Sequence, residues 1–135
     1  MATYPKTSGA TGLHIYVPLD PLYDFARVRR FVEVVGRMVE AADPDAVTMQ
    51  WDIAKRGRRV LIDHNQNVAG KTMASVYSVR PHPGAPVSMP ITWEEIGTVR
   101  PADFTIATIW DRLRLTGDLF APVLQLSVQI KFFFV

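Results

Sequence analysis

The sequence contains no cysteine among its 135 residues. This absence excludes a disulfide framework, a thiolate metal centre and a cysteine nucleophile, and it agrees with a reducing cytoplasm. Long apolar runs are missing as well: the amino-terminal residues lack the apolar core of a signal peptide, and no stretch of about 18 apolar residues predicts a membrane-spanning helix. The net charge is only +2, which permits a polyanionic partner without requiring one.

Hydrophobic residues make up 48% of the chain and charged residues 21%, a balance typical of one globular domain. Periodicity and turn signals predict an α+β fold, in which a small mixed or antiparallel sheet of about three strands is flanked by two amphipathic helices. The predicted elements are a strand over 13–19, a helix over 25–42, a shorter helix capped within 43–45 and reaching 54, strands over 60–63 and 72–80, a one-turn helix opened by a Thr92/Glu95 capping box, and a helix over 104–117.

The stretch "TSGATG" forms a Ser/Gly loop before the first predicted strand. Gly9 and Gly12 allow backbone N–H groups to converge, and the hydroxyls of Ser8 and Thr11 add donors, so the loop can hold phosphate oxygens. Its spacing differs from that of a Walker loop, and it precedes a strand rather than a helix. The alternative is an ordinary Ser/Gly turn.

A lone histidine, His14, follows this loop on the predicted strand and shares a face with Tyr16. Its functional interpretation is a donor to a triphosphate or a nucleotide hydroxyl bound at the loop. The alternative is a hydrogen-bonded structural histidine.

Asp63 closes the apolar strand "VLID" and precedes the polar run "HNQN". A carboxylate at the rim of a sheet is typical of a site for Mg²⁺ or Mn²⁺, which prefer oxygen ligands. One carboxylate rarely holds a catalytic metal alone, and the alternative is a capping or turn aspartate.

A cationic run immediately precedes the strand of Asp63: Lys55, Arg56, Arg58 and Arg59. Such a run is usually a solvated turn, but here it can bind the backbone of a nucleic acid or the tail of a nucleotide. Lys71 and Arg80 join the same neighbourhood if the strands over 60–63 and 72–80 pair.

Several linked motifs resemble the polymerase domain of bacterial end-joining ligase D, in the archaeo-eukaryotic primase superfamily. They are "TSGATGLHIYVPL", "KRGRRVLIDHNQN", "YSVR", "PGAPVSMPITWEE" and "FTIATIWDRL". The resemblance covers residues 1–124 and implies the carboxyl-terminal half of such a domain. The apolar tail over 125–135 departs from the family pattern.

The resemblance also assigns roles to individual residues. It implies that Ser8 and Thr11 contact the triphosphate with the support of His14, although many relatives have lysine where Thr11 stands. Asp63 becomes the third metal-binding carboxylate, with Mn²⁺ or Mg²⁺ as the ion. The nucleotide and primer-terminus pocket is shaped by Arg56, Gln66 and Arg80.

The implied reaction is template-directed nucleotidyl transfer during double-strand break repair by non-homologous end joining, in the bacterial cytoplasm at the nucleoid. Its partners are a nucleoside triphosphate, a DNA primer-template or DNA ends, Ku and a ligase, with no membrane. In this family two further metal carboxylates, an Asp-x-Asp pair, lie upstream of the glycine loop. The alternatives are therefore a non-catalytic remnant that binds nucleotide or DNA, and a split enzyme whose second polypeptide supplies the pair.

Overall fold

The computed structural model describes residues 1–125, and within them the chain forms two compact units. The first unit combines Met1–Asp20 with the chain from Ala74 onward, and the second is Pro21–Met73. The elements in chain order are β1 (Tyr4–Thr7), β2 (Leu13–Tyr16), α1 (Phe25–Ala42), β3 (Val47–Thr48), α2 (Ile53–Arg56), β4 (Val60–Leu61), a 3₁₀ turn (Pro101–Asp103), α3 (Ile109–Thr116) and α4 (Ala121–Gln125).

The first unit is organised around a hairpin and a buried extended segment. β1 and β2 pair in antiparallel register, so that Lys6 lies opposite His14. The other edge of β1 bonds to the segment 86–91: the Thr7 N–H donates to the Met89 carbonyl at 2.8 Å. This segment also bonds to residues 77–80 and to Phe104, which places it at the centre of the unit.

The core of the first unit consists of Met89, Ile91 and Phe104. α3 packs against it through Ile109 and Leu113 and ends at Gly117, whose positive φ of 68° is a backbone conformation that favours glycine.

The second unit packs α1 against the short parallel pair formed by β3 and β4. α1 begins where the Asp24 carboxylate accepts the Arg27 N–H, which satisfies one of the free donors of the first turn. Near its other end, the Glu40 carboxylate accepts the Thr48 hydroxyl and the Met49 N–H, both at 2.9 Å. These bonds tie helix to strand and lower the pKa of Glu40, the Met49 N–H having the larger effect.

The α+β class and the helix over 25–42 are confirmed, but the predicted sheet is not one of three strands. In the described residues the strands form two separate pairs. The strand predicted over 72–80 is wrong: only Val79 forms an isolated bridge, to Val87, and Tyr77 has a φ of 61° that breaks the extended path. The predicted pairing of 60–63 with 72–80 therefore lacks its second strand, and the shared neighbourhood of Lys71 and Arg80 stays a prediction.

Helix starts were predicted less well than helix ends. The Asp43 side chain caps a turn before β3, accepting the Ala46 N–H, and the short helix begins only after Asp52. α3 starts at 109 instead of 104, because Thr105 bridges to Pro86. At the predicted capping box the Thr92 N–H donates to Glu95, but a turn follows instead of a helix.

Of the apolar tail predicted at 125–135, only Gln125 is described. Within residues 1–125, none of the helices combines the length and the apolar character needed to cross a membrane.

Candidate functional site

The loop 8–12 closes the hairpin of β1 and β2 and is organised by the Ser8 hydroxyl. Its oxygen accepts the N–H groups of Ala10 at 3.1 Å and Gly12 at 3.0 Å, and the Ser8 N–H donates to the Gly12 carbonyl. A hydroxyl has two lone pairs and one hydrogen. Because both lone pairs are occupied, the Ser8 hydroxyl cannot accept a further hydrogen bond and is left to donate one through its hydrogen. A phosphate oxygen needs a donor of this kind.

Gly9 brings this loop against Arg80. Its φ is 71°, and a Cβ built on it would overlap the Arg80 Cγ and lie 3.1 Å from the Ser88 backbone nitrogen. Only glycine allows this approach without a shift of its neighbours. The structure therefore brings Ser8, Gly9 and Arg80 together, while Thr11 and Gly12 lie exposed at the tip of the loop.

A lysine outside the predicted site residues, Lys6, lies beneath the loop. The Lys6 side chain is 0% exposed, and its ammonium donates to the Ser88 hydroxyl, which donates in turn to the Thr7 carbonyl at 2.7 Å. The ammonium also lies 5.8 Å from the centre of the Tyr16 ring. Burial, together with the positive charge of Arg80, lowers the pKa of Lys6 to about 8.

His14 stands opposite Lys6 in the hairpin register, and cross-strand partners share a face of a sheet. Burial lowers the pKa of His14, and the positive charges of Lys6 and Arg80 lower it further. His14 Nδ1 and Arg80 Nε are buried without a hydrogen-bond partner among the described residues. Lys6, His14, Arg80 and the loop 8–12 form a cationic cluster, named here the anion site.

The other candidate residues belong to the second unit. The Asp63 carboxylate is half-buried and accepts the Asn65 N–H at 2.8 Å and the Gln66 side-chain amide at 3.1 Å. On α1, the Arg29 guanidinium holds Asn65 in place through a 2.6 Å bond. Asp63 and Gln66 are thus direct neighbours. The two hydrogen bonds to the Asp63 carboxylate are those of a turn aspartate, the alternative to a metal ligand given above. The interpretation of Asp63 as a metal ligand also requires it to lie near the Ser8 loop, so that a divalent cation and a polyphosphate can meet, and this proximity stays a prediction.

The cationic run divides into two groups. The guanidiniums of Arg56 and Arg59 bond to backbone carbonyls of residues 50–51 and 55–56, which fixes them around α2. Lys55 forms a long, exposed ion pair with Asp52 at 3.8 Å. Arg58 and Lys71 are exposed, and their side chains form no ion pair within residues 1–125. The exposed members are the ones free to meet a polyanion.

The described residues do not fit a complete catalytic metal pair. No group of three or more His, Asp or Glu side chains within residues 1–125 could hold a metal ion. Asp63 alone offers a carboxylate at the position that the family resemblance indicates, and its two oxygens already accept hydrogen bonds. A metal pair needs further ligands in addition to it.

Comparison with known proteins gives these side chains their context. The family model described as "LigD, primase-polymerase domain" matches residues 1–120. The chain belongs to the LigD primase-polymerase family. The curated relatives include the multifunctional non-homologous end joining protein LigD of Mycolicibacterium smegmatis, 36% identical over 91% of this chain and 16% of the relative. The bifunctional LigD of Bacillus subtilis is 32% identical over 87% of this chain and 20% of the relative.

The fold of the primase-polymerase family is present in a solved structure as well. The polymerase domain of Mycobacterium tuberculosis ligase D, solved in complex with DNA, matches with a TM-score of 0.86 and 29% identity. The match covers 94% of this chain and 44% of that one. The chain therefore spans a fifth or less of the curated LigD relatives named above and less than half of the solved polymerase domain.

Lys6 was not among the predicted site residues, because the first predicted strand began at Leu13. The sequence nevertheless held a signal: if "TSGATG" is a hairpin loop rather than a free end, counting back from it pairs Thr7 with Leu13 and Lys6 with His14, as the structure shows. A charged residue directly opposite the histidine would then have been a candidate.

Proposed function

We propose that this chain supplies the nucleotide-binding part of a LigD-type polymerase, which carries out template-directed nucleotidyl transfer in the repair of double-strand breaks by non-homologous end joining. The observation that carries the proposal is the anion site itself. It gathers Lys6, His14 and Arg80 beside a hydroxyl that can only donate, and no ion pair within residues 1–125 joins the three cations to a carboxylate. A bound polyphosphate would supply the missing negative charge.

The residues of the anion site would bind and orient the triphosphate. The Ser8 hydroxyl and the Arg80 guanidinium would donate to phosphate oxygens, and the fixed positive charges would stabilise the negative charge on the leaving phosphates. In the second unit, Gln66 and Arg56 would shape the nucleotide pocket. Arg58, Lys55 and Lys71 would bind the DNA backbone, a contact whose strength falls with added salt.

The family's metal dependence enters through Asp63, with Mn²⁺ or Mg²⁺ as the proposed ion. Because the described residues offer only this carboxylate at the indicated position, the reaction needs further ligands, from elsewhere in a longer chain or from a second polypeptide. The proposed setting is the bacterial cytoplasm at the nucleoid, with Ku and a ligase as partners.

A second candidate function is a nucleotide- or DNA-binding module without catalysis. The lack of a three-ligand metal cluster in residues 1–125 favours it for this polypeptide on its own. The two candidates make opposite predictions for primer extension and the same prediction for nucleotide binding.

The test measures ATP binding by calorimetry and primer extension with Mn²⁺ on the full 135-residue chain. Arg80→Gln should weaken ATP binding about tenfold, whereas Arg114→Gln, which removes an exposed guanidinium of the same unit, should leave it unchanged. Equal affinities in both variants would contradict the nucleotide site.

Extension should be scored with the chain alone and with an added polypeptide that carries the Asp-x-Asp half of a relative. Extension that Asp63→Ala abolishes supports the polymerase. ATP binding without extension, alone or complemented, supports the binding module. A chain that neither binds ATP nor extends a primer contradicts both candidates.

A further inference from the structure

The anion site has no negatively charged partner within residues 1–125. Lys6 is fully buried, yet among the described residues its ammonium donates only to the neutral oxygens of Ser88 and Thr7. The segment 86–90 that packs over it carries no titratable side chain. Two or three cations gathered without a carboxylate repel one another, so the free protein holds a charge distribution that an anion would relieve.

His14 is the member of this cluster that can change its charge near neutral pH. The charged groups that act on it are Lys6, from the neighbouring strand, and Arg80, from the segment 77–80, and both are positive. Tyr16, two residues along the same strand, is a neutral phenol whose pKa burial raises. In the free protein these surroundings favour the neutral imidazole.

Two buried nitrogens of the anion site have no hydrogen-bond partner within residues 1–125. Arg80 Nε always carries a hydrogen and has no acceptor, and His14 Nδ1 is also without a partner. A polyphosphate held at the loop by the Ser8 hydroxyl and the Arg80 guanidinium would act on the imidazole through its negative charge. A neutral imidazole with its hydrogen on Nδ1 and an imidazolium can both donate from Nδ1. The negative charge of the ligand is what favours the imidazolium.

We propose that Lys6, His14 and Arg80 form a proton-coupled polyphosphate site, in which His14 takes up a proton when the triphosphate binds. The anion offsets the two fixed charges that keep the imidazole neutral, so protonation and binding assist each other. Lys6 acts as a positioning residue, since its buried ammonium supplies charge without a path to the ligand. The inference rests on the proposed nucleotide site and adds to it a specific charge change.

The test is calorimetric titration of sodium triphosphate, with EDTA present, into the full chain at pH 7.5. The titration is repeated in buffers of different ionisation enthalpy, so that the slope of binding enthalpy against ionisation enthalpy counts protons. The wild type should take up a fraction of one proton more than His14→Gln does. That variant controls for protons carried by the ligand itself. His82→Gln, at an exposed histidine of the same unit, should match the wild type.

Lys6→Met keeps an apolar stem of similar length and removes the charge. It should weaken triphosphate binding about tenfold. It should also reduce proton uptake, because the pKa of His14 in the free protein is then less depressed. Far-UV circular dichroism checks that each variant folds. Triphosphate binding with equal proton uptake in the wild type and His14→Gln overturns the inference but leaves the nucleotide site standing. Absence of triphosphate binding by the wild type contradicts the nucleotide site as well.

Discussion

Replacing Gly9 by alanine should be among the most costly single-methyl changes in the first unit. Two independent penalties coincide there: the residue adopts a φ of 71°, and a Cβ would overlap the Arg80 Cγ while lying 3.1 Å from the Ser88 nitrogen. The Arg80 side chain can move, but the backbone of the buried segment 86–90 cannot move without disturbing β1. The strain at residue 9 therefore cannot be fully relieved without a further loss of stability.

The magnitude follows from these two contacts. A left-handed backbone costs a residue with a side chain about 1–2 kcal/mol, and overpacking a filled site costs about 1–3 kcal/mol. Alanine restricts the unfolded chain, which returns about 0.4–1 kcal/mol. The net loss in the free energy of unfolding should be about 3 kcal/mol, the centre of these ranges.

Urea unfolding followed by tryptophan fluorescence measures this loss, which should lower the midpoint by about 1–2 M. Gly12→Ala is the matched control, because a Cβ at Gly12 would meet only the Ser8 side chain at 3.7 Å. Removing the Arg80 Cγ by Arg80→Ala should recover about 1 kcal/mol of the Gly9→Ala cost in a double-mutant cycle. Equal midpoints for Gly9→Ala and Gly12→Ala would refute the reasoning.

The remaining predictions concern stability and its dependence on pH. Glu95→Gln breaks a paired bridge to Arg112, with N···O distances of 2.5 and 2.6 Å and both side chains about four-fifths buried, so it should cost about 2–3 kcal/mol. Asp111→Asn, in an exposed pair, should cost less than about 0.5 kcal/mol in the same urea assay, and similar losses in both would contradict the burial argument. The Arg112 hydrogen bond lowers the pKa of Glu95, so its stabilisation is present at neutral pH and disappears as the pH falls below 4.5; an unchanged gap between wild type and Glu95→Gln at pH 3 would count against this. Lys6 has a folded-state pKa of about 8 against 10.5 when unfolded, so the unfolded chain holds the proton more tightly. The wild type should therefore gain about 2 kcal/mol over Lys6→Met between pH 8 and about 9.5, and parallel pH profiles would contradict it. Asp24→Ala should cost about 1 kcal/mol by removing the cap of α1, and circular dichroism that shows no earlier thermal transition would contradict it.

Local signals predicted those parts of the fold that local physics controls. The apolar spacing of 25–42 identified α1 residue by residue, because helix periodicity and the turn before it are properties of consecutive residues. Gly117 was identified as the end of α3 for the same reason. The strand predicted over 72–80 failed because its alternating pattern competes with tertiary contacts: the Tyr77 hydroxyl reaches Asp118, and its N–H bonds to the Ser88 carbonyl.

The candidate site divides in the same way. The residue types and their order showed the family and pointed to Ser8, His14, Asp63 and Arg80, because motif spacing is written in the chain itself. The motifs did not show which of these side chains are in contact, or in what charge state. That Ser8 can only donate and that Gly9 admits Arg80 depends on the closure of the loop 8–12.

By itself, the sequence determined the family, the α+β class and the long helix, since each depends on residue identity and short-range spacing. Only the tertiary structure decided that Lys6 is buried opposite His14, with no carboxylate partner in the described part of the chain. The physical reason is that burial and pairing come from strand register and from the distant segment 86–90 that covers the hairpin. The local sequence around a lysine does not show whether folding will remove its side chain from water.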